Sequence, residues 1–217
     1  MKIVIIRHGQ TYANVLNRSG KTLFTGNLNN HLTDLTQEGI ESAKKLSEKS
    51  EIKDIQIVYC SDLNRAIQTA KLAKPGFELH IDKRLRERDL GIFEGKTKEE
   101  LLELDDIKKY ILDSNYNKFR ADFIQKAPGG ENFTDVAKRT EEFLNSLNQN
   151  DDVTIGIFSH INCIKCLFLN LFNIDPKEDV INLKIKNCEP YIIEKQKDSR
   201  ARLLSHKLED LIDDRVL

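Results

Sequence analysis

The sequence predicts an α/β fold in three layers, α/β/α, with a mostly parallel central sheet. Two observations carry this. Short runs rich in Ile and Val recur along the chain without polar interruption, the pattern of strands buried on both faces. Between them lie segments of helical periodicity, and strands alternating with helices build a layered sheet. A third observation sets the domain count. No linker, repeat or low-complexity tract interrupts the 217 residues. Residues 1–217 are therefore read as one domain, long enough to bury a real core.

The elements follow in order. Strand signals fall at residues 2–6, 55–59, 153–158 and 189–194, with a weaker one at 78–81. Residues 36–48 open on a cap candidate, Thr36, and keep Ile40, Ala43 and Leu46 near one face of a helix. Ser61 or Asp62 can cap a second helix that runs to about Ala73, where Pro75-Gly76 ends it. Phe133, Val136, Ala137, Thr140, Leu144 and Leu147 mark a third, amphipathic helix. Ile161–Phe172 is an apolar helix that ends before Pro176. The charged stretch 98–126 reads as a helical excursion off the sheet, either a cap over a site or a solvated hairpin. Residues 195–217 are highly charged and are expected to pack loosely.

Composition narrows the function classes. The 34 Lys+Arg balance 35 Asp+Glu to a net charge of -1, which argues against nucleic-acid binding through a broad basic face. No apolar stretch approaches the ~20 residues of a membrane helix. The N-terminal apolar run is four residues long and leads into Arg7-His8, unlike a signal peptide. A cytoplasmic protein without a membrane segment is the expectation. Cys163 and Cys166 have CxxC spacing but no second pair, and Cys60 and Cys188 stand alone. Small apolar core residues are the better reading than a zinc site.

The chemistry concentrates at strand ends, where open parallel sheets place reactive groups. The first run, Ile3-Val4-Ile5-Ile6, leads into Arg7-His8-Gly9. The run 153–158 leads into Ser159-His160 and then a helix, and the run ending Tyr59-Cys60-Ser61 precedes a helix carrying Arg65. Three strands thus deliver two guanidinium groups and two imidazoles to one edge. Guanidinium forks suit phosphate, and imidazole suits nucleophilic and proton-transfer work. A fourth element, residues 84–95, joins dense mixed charge to Gly91 and Gly95. Charge pattern alone favours a surface ion-pair cluster there; the other reading is a loop that brings a carboxyl group, a general acid for a leaving alkoxide, into the site.

These motifs resemble the histidine phosphatase superfamily, the phosphoglycerate-mutase-like proteins. The resemblance runs from Lys2 to about Glu194. It rests on the ordered set Arg7-His8-Gly9-Gln10-Thr11 with Asn14, Thr25-Gly26, Leu32-Thr33 with residues 36–39, Ser61-Asp62-Leu63-Asn64-Arg65-Ala66 with Thr69, residues 85–95, Pro128-Gly129-Gly130-Glu131, and Ser159-His160. It implies His8 as the nucleophile that forms a phosphohistidine, its other ring nitrogen donating to a backbone carbonyl. It implies Arg7, Arg65 and His160 as the phosphate pocket and Glu87 as the proton donor. Asn14, Thr25 and Gly26 match positions near the transferred group, and Arg88 and Lys98 match contacts to anionic substrates. No metal and no cofactor are implied.

Two departures separate the branches. Ile161-Asn162 follows His160 where phosphatases carry two glycines and mutases glycine-asparagine. Ile161 narrows the space beside the pocket. Residues 95–129 are shorter than the insertion of cofactor-dependent mutases, and an opener pocket favours water as the acceptor. The expected activity is metal-independent hydrolysis of a small phosphorylated metabolite, a sugar phosphate among the candidates, as in broad-specificity and fructose-2,6-bisphosphatase-like members. Arg86, Arg88, Lys96 and Lys98 are candidate holders of a second anionic group. A cofactor-dependent phosphoglycerate mutase and a catalytically weak binding or scaffold member are the alternatives. The partner implied is a small phosphorylated substrate, with no nucleic acid and no membrane; a homodimer is left open.

Overall fold

The computed structural model describes residues 1–113, 121–147, 152–175, 177–196 and 201–212. Its sheet has six strands: β1 (Lys2–Arg7), β2 (Ile57–Cys60), β3 (Leu79–Ile81), β4 (Thr154–Ser159), β5 (Pro190–Glu194) and β6 (Arg202–Leu203). They lie in the order β3-β2-β4-β1-β5-β6. The first four are mutually parallel, β5 runs antiparallel to β1, and β6 antiparallel to β5. The described helices are α1 (Tyr12–Arg18), α2 (Gln37–Leu46), α3 (Ser50–Lys53), α4 (Asn64–Ala73), α5 (Lys98–Leu102), α6 (Asp105–Leu112), α7 (Phe133–Ser146) and α8 (Ile161–Phe172).

Alternation along β1 explains the layers. Ile3 and Ile5 point to one face and pack with Ile155 and Ile157 of β4 against Val136 and Phe143 of α7 and Ile164 and Leu167 of α8. Val4 and Ile6 point to the other, against Leu46 of α2 and Ala66 and Ala70 of α4. Each such fully buried aliphatic side chain is worth about 1.5–3 kcal/mol. The alanines of α4 bring its backbone close to the sheet, which matters for Arg65 on the same helix.

A third, smaller core joins Phe24 and Phe93 to Leu101 of α5 and Ile111 of α6. The excursion is thus a packed subassembly, not a solvated hairpin, over its described part; residues 114–120 lie outside the described residues. Its α5 begins with a capping box between Thr97 and Glu100.

Several local expectations are corrected. Helix α4 starts at Asn64, with Leu63 in the capping position and no side-chain cap bond. Ser61 accepts the Leu63 N–H at 3.3 Å, while Asp62 is drawn to Arg86. Helix α8 spans Ile161–Phe172 as expected and closes on a left-handed Asn173 (φ 49°); Pro176 lies outside the described residues. Helix α1 escapes periodicity because only Ala13 of its seven residues is buried. The charged C-terminal region is mostly exposed where it is described but is tied down at points: β6 covers the sheet edge, Leu211 is buried, and Leu211 O accepts the Lys184 N–H.

Candidate active site

Parallel pairing of β1 with β4 sets Arg7 opposite Ser159, and the His8 N–H donates to Ser159 O. His8 and His160 therefore leave the sheet side by side, their ring centroids 5.1 Å apart. Gly9 follows because α2 presses on it. A Cβ at Gly9 would stand 2.8 Å from Gly39 O, and one at Gly39 2.2 Å from Gln10 O.

His8 is buried, and its Nδ1 lies 2.7 Å from Gly9 O. A carbonyl only accepts, so the proton sits on Nδ1 and Nε2 keeps its lone pair. Burial, then the charges of Arg65 and Arg7, hold the pKa well below the ordinary 6.5, against the opposing pull of the Gly9 bond. At neutral pH the ring is uncharged, with Nε2 ready for an electrophile.

Arg65 is 3 % exposed and fully directed. Its Nε donates to His160 Nδ1 at 3.2 Å, Nη1 to Leu28 O at 2.9 Å and Nη2 to Gly26 O at 2.8 Å. Burial lowers its pKa to about 10, so it remains a cation at neutral pH. Thr69 links the same helix turn to the first strand end, accepting from Gly9 N and donating to Arg65 O. Arg7 is anchored through Nη1 to Ile185 O at 2.7 Å, while its buried Nε has no hydrogen-bond partner among the described residues. A buried orphan donor of this kind is costly unless something supplies an acceptor.

Glu87 is also buried, and its Oε1 accepts the N–H groups of Arg88 (2.7 Å) and Asn162 (3.2 Å). Its loop is held by Arg139 of α7. The guanidinium grips both Glu131 oxygens at 2.8 and 3.0 Å and donates to the carbonyls of Arg84, Arg86 and Glu87.

Arg7, His8, Arg65 and Glu87 line one cavity of about 140 Å³. Asn14, Thr25, Gly26 and Ile161 complete much of its wall. With about 30 Å³ per water, the space suits one phosphoryl group and little more. A second cavity of about 580 Å³ shares Thr25, Leu90, Ile161 and Asn162 with it and extends past Arg88, Phe24, Phe93 and Ala121. The excursion thereby contributes a wall, at Ala121. A third, of about 670 Å³, lies beyond Arg7 and among the described residues carries Arg18, Lys165, Lys184 and Lys186 against Glu38. Ile161 borders all three.

Not every expected residue arrives. His160 is buried behind the cavity and does not line it: Arg65 takes Nδ1, and Nε2, carrying the proton, meets Ser61 Oγ at 2.9 Å. Burial and the nearby Arg65, His8, Arg7 and Arg139 keep that ring neutral. Lys98 sits exposed on α5 and lines none of these cavities. Arg86 is bound by both oxygens of Asp62, at 2.7 and 2.6 Å, and Lys96 points back to the Ile92 carbonyl. Arg88 lines the second cavity. Arg139 was missed. Its signal was present: it falls three residues after Val136 and four before Phe143, a basic residue on a buried stripe.

Two strand-end histidines, two buried guanidinium groups and a fixed carboxylate on this α/β scaffold define a phosphoryl-handling class, and the chain belongs to the histidine phosphatase superfamily, branch 1, whose family model matches residues 3–207. Among its relatives, the 6-phosphofructo-2-kinase/fructose-2,6-bisphosphatase of Caenorhabditis elegans is 30 % identical over 79 % of this chain, which spans about a third of that protein (34 %). The 2,3-bisphosphoglycerate-dependent phosphoglycerate mutase of Brucella canis is 27 % identical over 91 % of this chain and 93 % of its own length. A crystal structure of the alpha-ribazole phosphatase of Shigella flexneri superposes with a TM-score of 0.75, at 28 % identity, covering 94 % of this chain and 95 % of that one. Family and neighbours together indicate phosphatase or phosphotransferase chemistry. Among the described residues no helix is long and apolar enough to cross a membrane.

Proposed function

We propose that the protein is a phosphomonoesterase that hydrolyses a small phosphorylated metabolite through a phosphohistidine on His8. One observation carries the reading: a neutral imidazole, locked by Nδ1 to Gly9 O, lines a phosphoryl-sized cavity with two guanidinium groups. In the first step Nε2 attacks phosphorus and the bond to the leaving oxygen breaks, with Glu87 supplying that oxygen's proton. In the second, water attacks the phosphohistidine, its proton passes to Glu87, and the P–N bond electrons return to Nε2. Arg7 and Arg65 face the charge that builds on the equatorial oxygens; one such donor is typically worth about 10²–10³ in rate. Arg7 lines this cavity, and a bound phosphate would supply the acceptor that its Nε lacks among the described residues. His160 acts through Arg65, holding its Nε and so its orientation.

The wider cavity that adjoins the reaction cavity along Thr25, Leu90 and Asn162 supports water as the acceptor. The mutase reading has its own support in the near full-length similarity to the Brucella enzyme. One experiment separates them. Rapid-quench incubation with a labelled phosphomonoester should trap acid-labile, base-stable phosphate on the protein, and His8→Ala should abolish both trapping and turnover. With 3-phosphoglycerate, with or without 2,3-bisphosphoglycerate, release of inorganic phosphate should outrun isomerisation. Full activity in His8→Ala would refute the mechanism; faster isomerisation would make the protein a mutase.

A further inference from the structure

Residues 185–188, on the connection into β5, touch the reaction site at four points. Ile185 O anchors Arg7 Nη1, and Cys188 N donates to Arg7 O at 3.0 Å. Asn187 Nδ2 donates to His8 O at 2.7 Å and lies 3.4 Å from Asn14 Oδ1. Cys188 adopts φ 53°, a left-handed conformation rare for a residue with a side chain, and such strain collects at functional sites.

The consequence for Asn14 is directional. Its Oδ1 accepts from Thr11 N at 3.2 Å as well as from Asn187. With the carbonyl oxygen committed to two donors, the Nδ2 hydrogens are the part of the amide left to serve the cavity that Asn14 lines. An amide turned the other way would present an oxygen to the anionic phosphoryl group. The same Asn187 amide ties the carbonyl of the residue that carries the nucleophile, so one side chain sets both the height of His8 and the polarity of Asn14.

We propose that Asn187 is a positioning residue for phosphoryl transfer. It touches neither phosphorus nor leaving group; it acts through His8 and Asn14. The proposal rests on the reading of His8 as nucleophile. It predicts that truncation slows the transfer step more than it weakens binding, because a nucleophile displaced by about 1 Å loses about 10²-fold in rate.

The test uses the full chain with p-nitrophenyl phosphate, in rapid-quench single turnovers and steady state. Asn187→Ala should slow phosphorylation of His8 about 10–100-fold with KM changed less than about threefold. In a double-mutant cycle with Asn14→Ala, the double variant should lose less rate than the product of the two single effects, because part of the Asn187 effect runs through Asn14. A rate for Asn187→Ala within threefold of the parent, or single effects that simply multiply, would overturn the proposal. Should Asn187→Ala fail to fold, the near-isosteric Asn187→Asp replaces the donor with an acceptor facing two oxygens and must be slowed at least as much; parental rates there overturn it equally. Absence of phosphoryl transfer in the unaltered chain would instead refute the phosphatase reading itself, and this proposal with it.

Discussion

Replacing Arg139 with Met removes the donors that shape the Glu87 loop while keeping much of the stem's volume. The guanidinium bridges both oxygens of Glu131 and three backbone carbonyls, at 2.6 Å for Arg84 and 3.0 Å for Arg86 and Glu87. Arg139 is 16 % exposed and Glu131 25 %, so water reaches the pair only partly. Breaking a buried pair costs about 3–5 kcal/mol, and stranding an acceptor adds about 1–3 kcal/mol. Partial exposure argues for the lower end, about 3 kcal/mol in all. A chain of this size loses about 2–4 °C of Tm per kcal/mol, so Arg139→Met should melt about 6–12 °C lower. Its kcat should also fall, since the loop presenting Glu87 loses its brace. Arg139→Lys restores charge but not the planar fork, and should recover only part of both. Calorimetric melts at pH 7 with parallel kcat measurements decide it. A Tm within about 2 °C of the parent, with unchanged kcat, would show that other contacts hold the loop.

Four more outcomes follow from the same geometry. His8 and His160 are neutral when folded, with pKa values held below 6.5, so the unfolded chain binds more protons as pH drops below that value. Stability should therefore fall below about pH 6.5 by up to about 1.4 kcal/mol per pH unit per histidine, read by urea unfolding across pH; a flat profile refutes it. Arg65→Gln removes a cation beside both rings, so the His8 titration followed by NMR should move up toward 6.5; no movement would show that Arg65 does not contribute to it. Ile161→Ala opens the reaction cavity toward Arg18, Lys184 and Lys186, and should raise kcat/KM for a bisphosphate relative to an aryl phosphate roughly tenfold. An unchanged ratio would mean that Ile161 does not divide them. Gly91→Ala places a Cβ 2.1 Å from Pro128 O at φ 53°, and handedness alone costs about 1–2 kcal/mol. Equal stability to the parent would refute the close packing of that turn.

The reactive strand ends were legible because they are local. A β-branched run announces a buried strand, and the residue after it is delivered to the sheet edge; Arg7, His8 and His160 follow directly. Arg65 needed only the recognition that a helix starts just past β2. Lys98 and Arg86 read as anion holders because charge pattern cannot say which carboxylate is already in reach, and Asp62 proved to hold Arg86. Helix α1 left almost no periodic trace, having one buried residue.

From its own order of residues the chain determines the layered sheet, the histidines and guanidinium groups at its edge, and membership of a phosphoryl-handling family, because burial period and strand ends are encoded within a few neighbouring positions. Only the tertiary structure decides which atoms face the substrate. His160 yields its Nδ1 to an arginine 95 positions away, and Asn187 reaches across 179 positions to the backbone of His8. Hydrogen-bond direction depends on groups that folding brings together from distant segments, and no local pattern records who donates and who accepts.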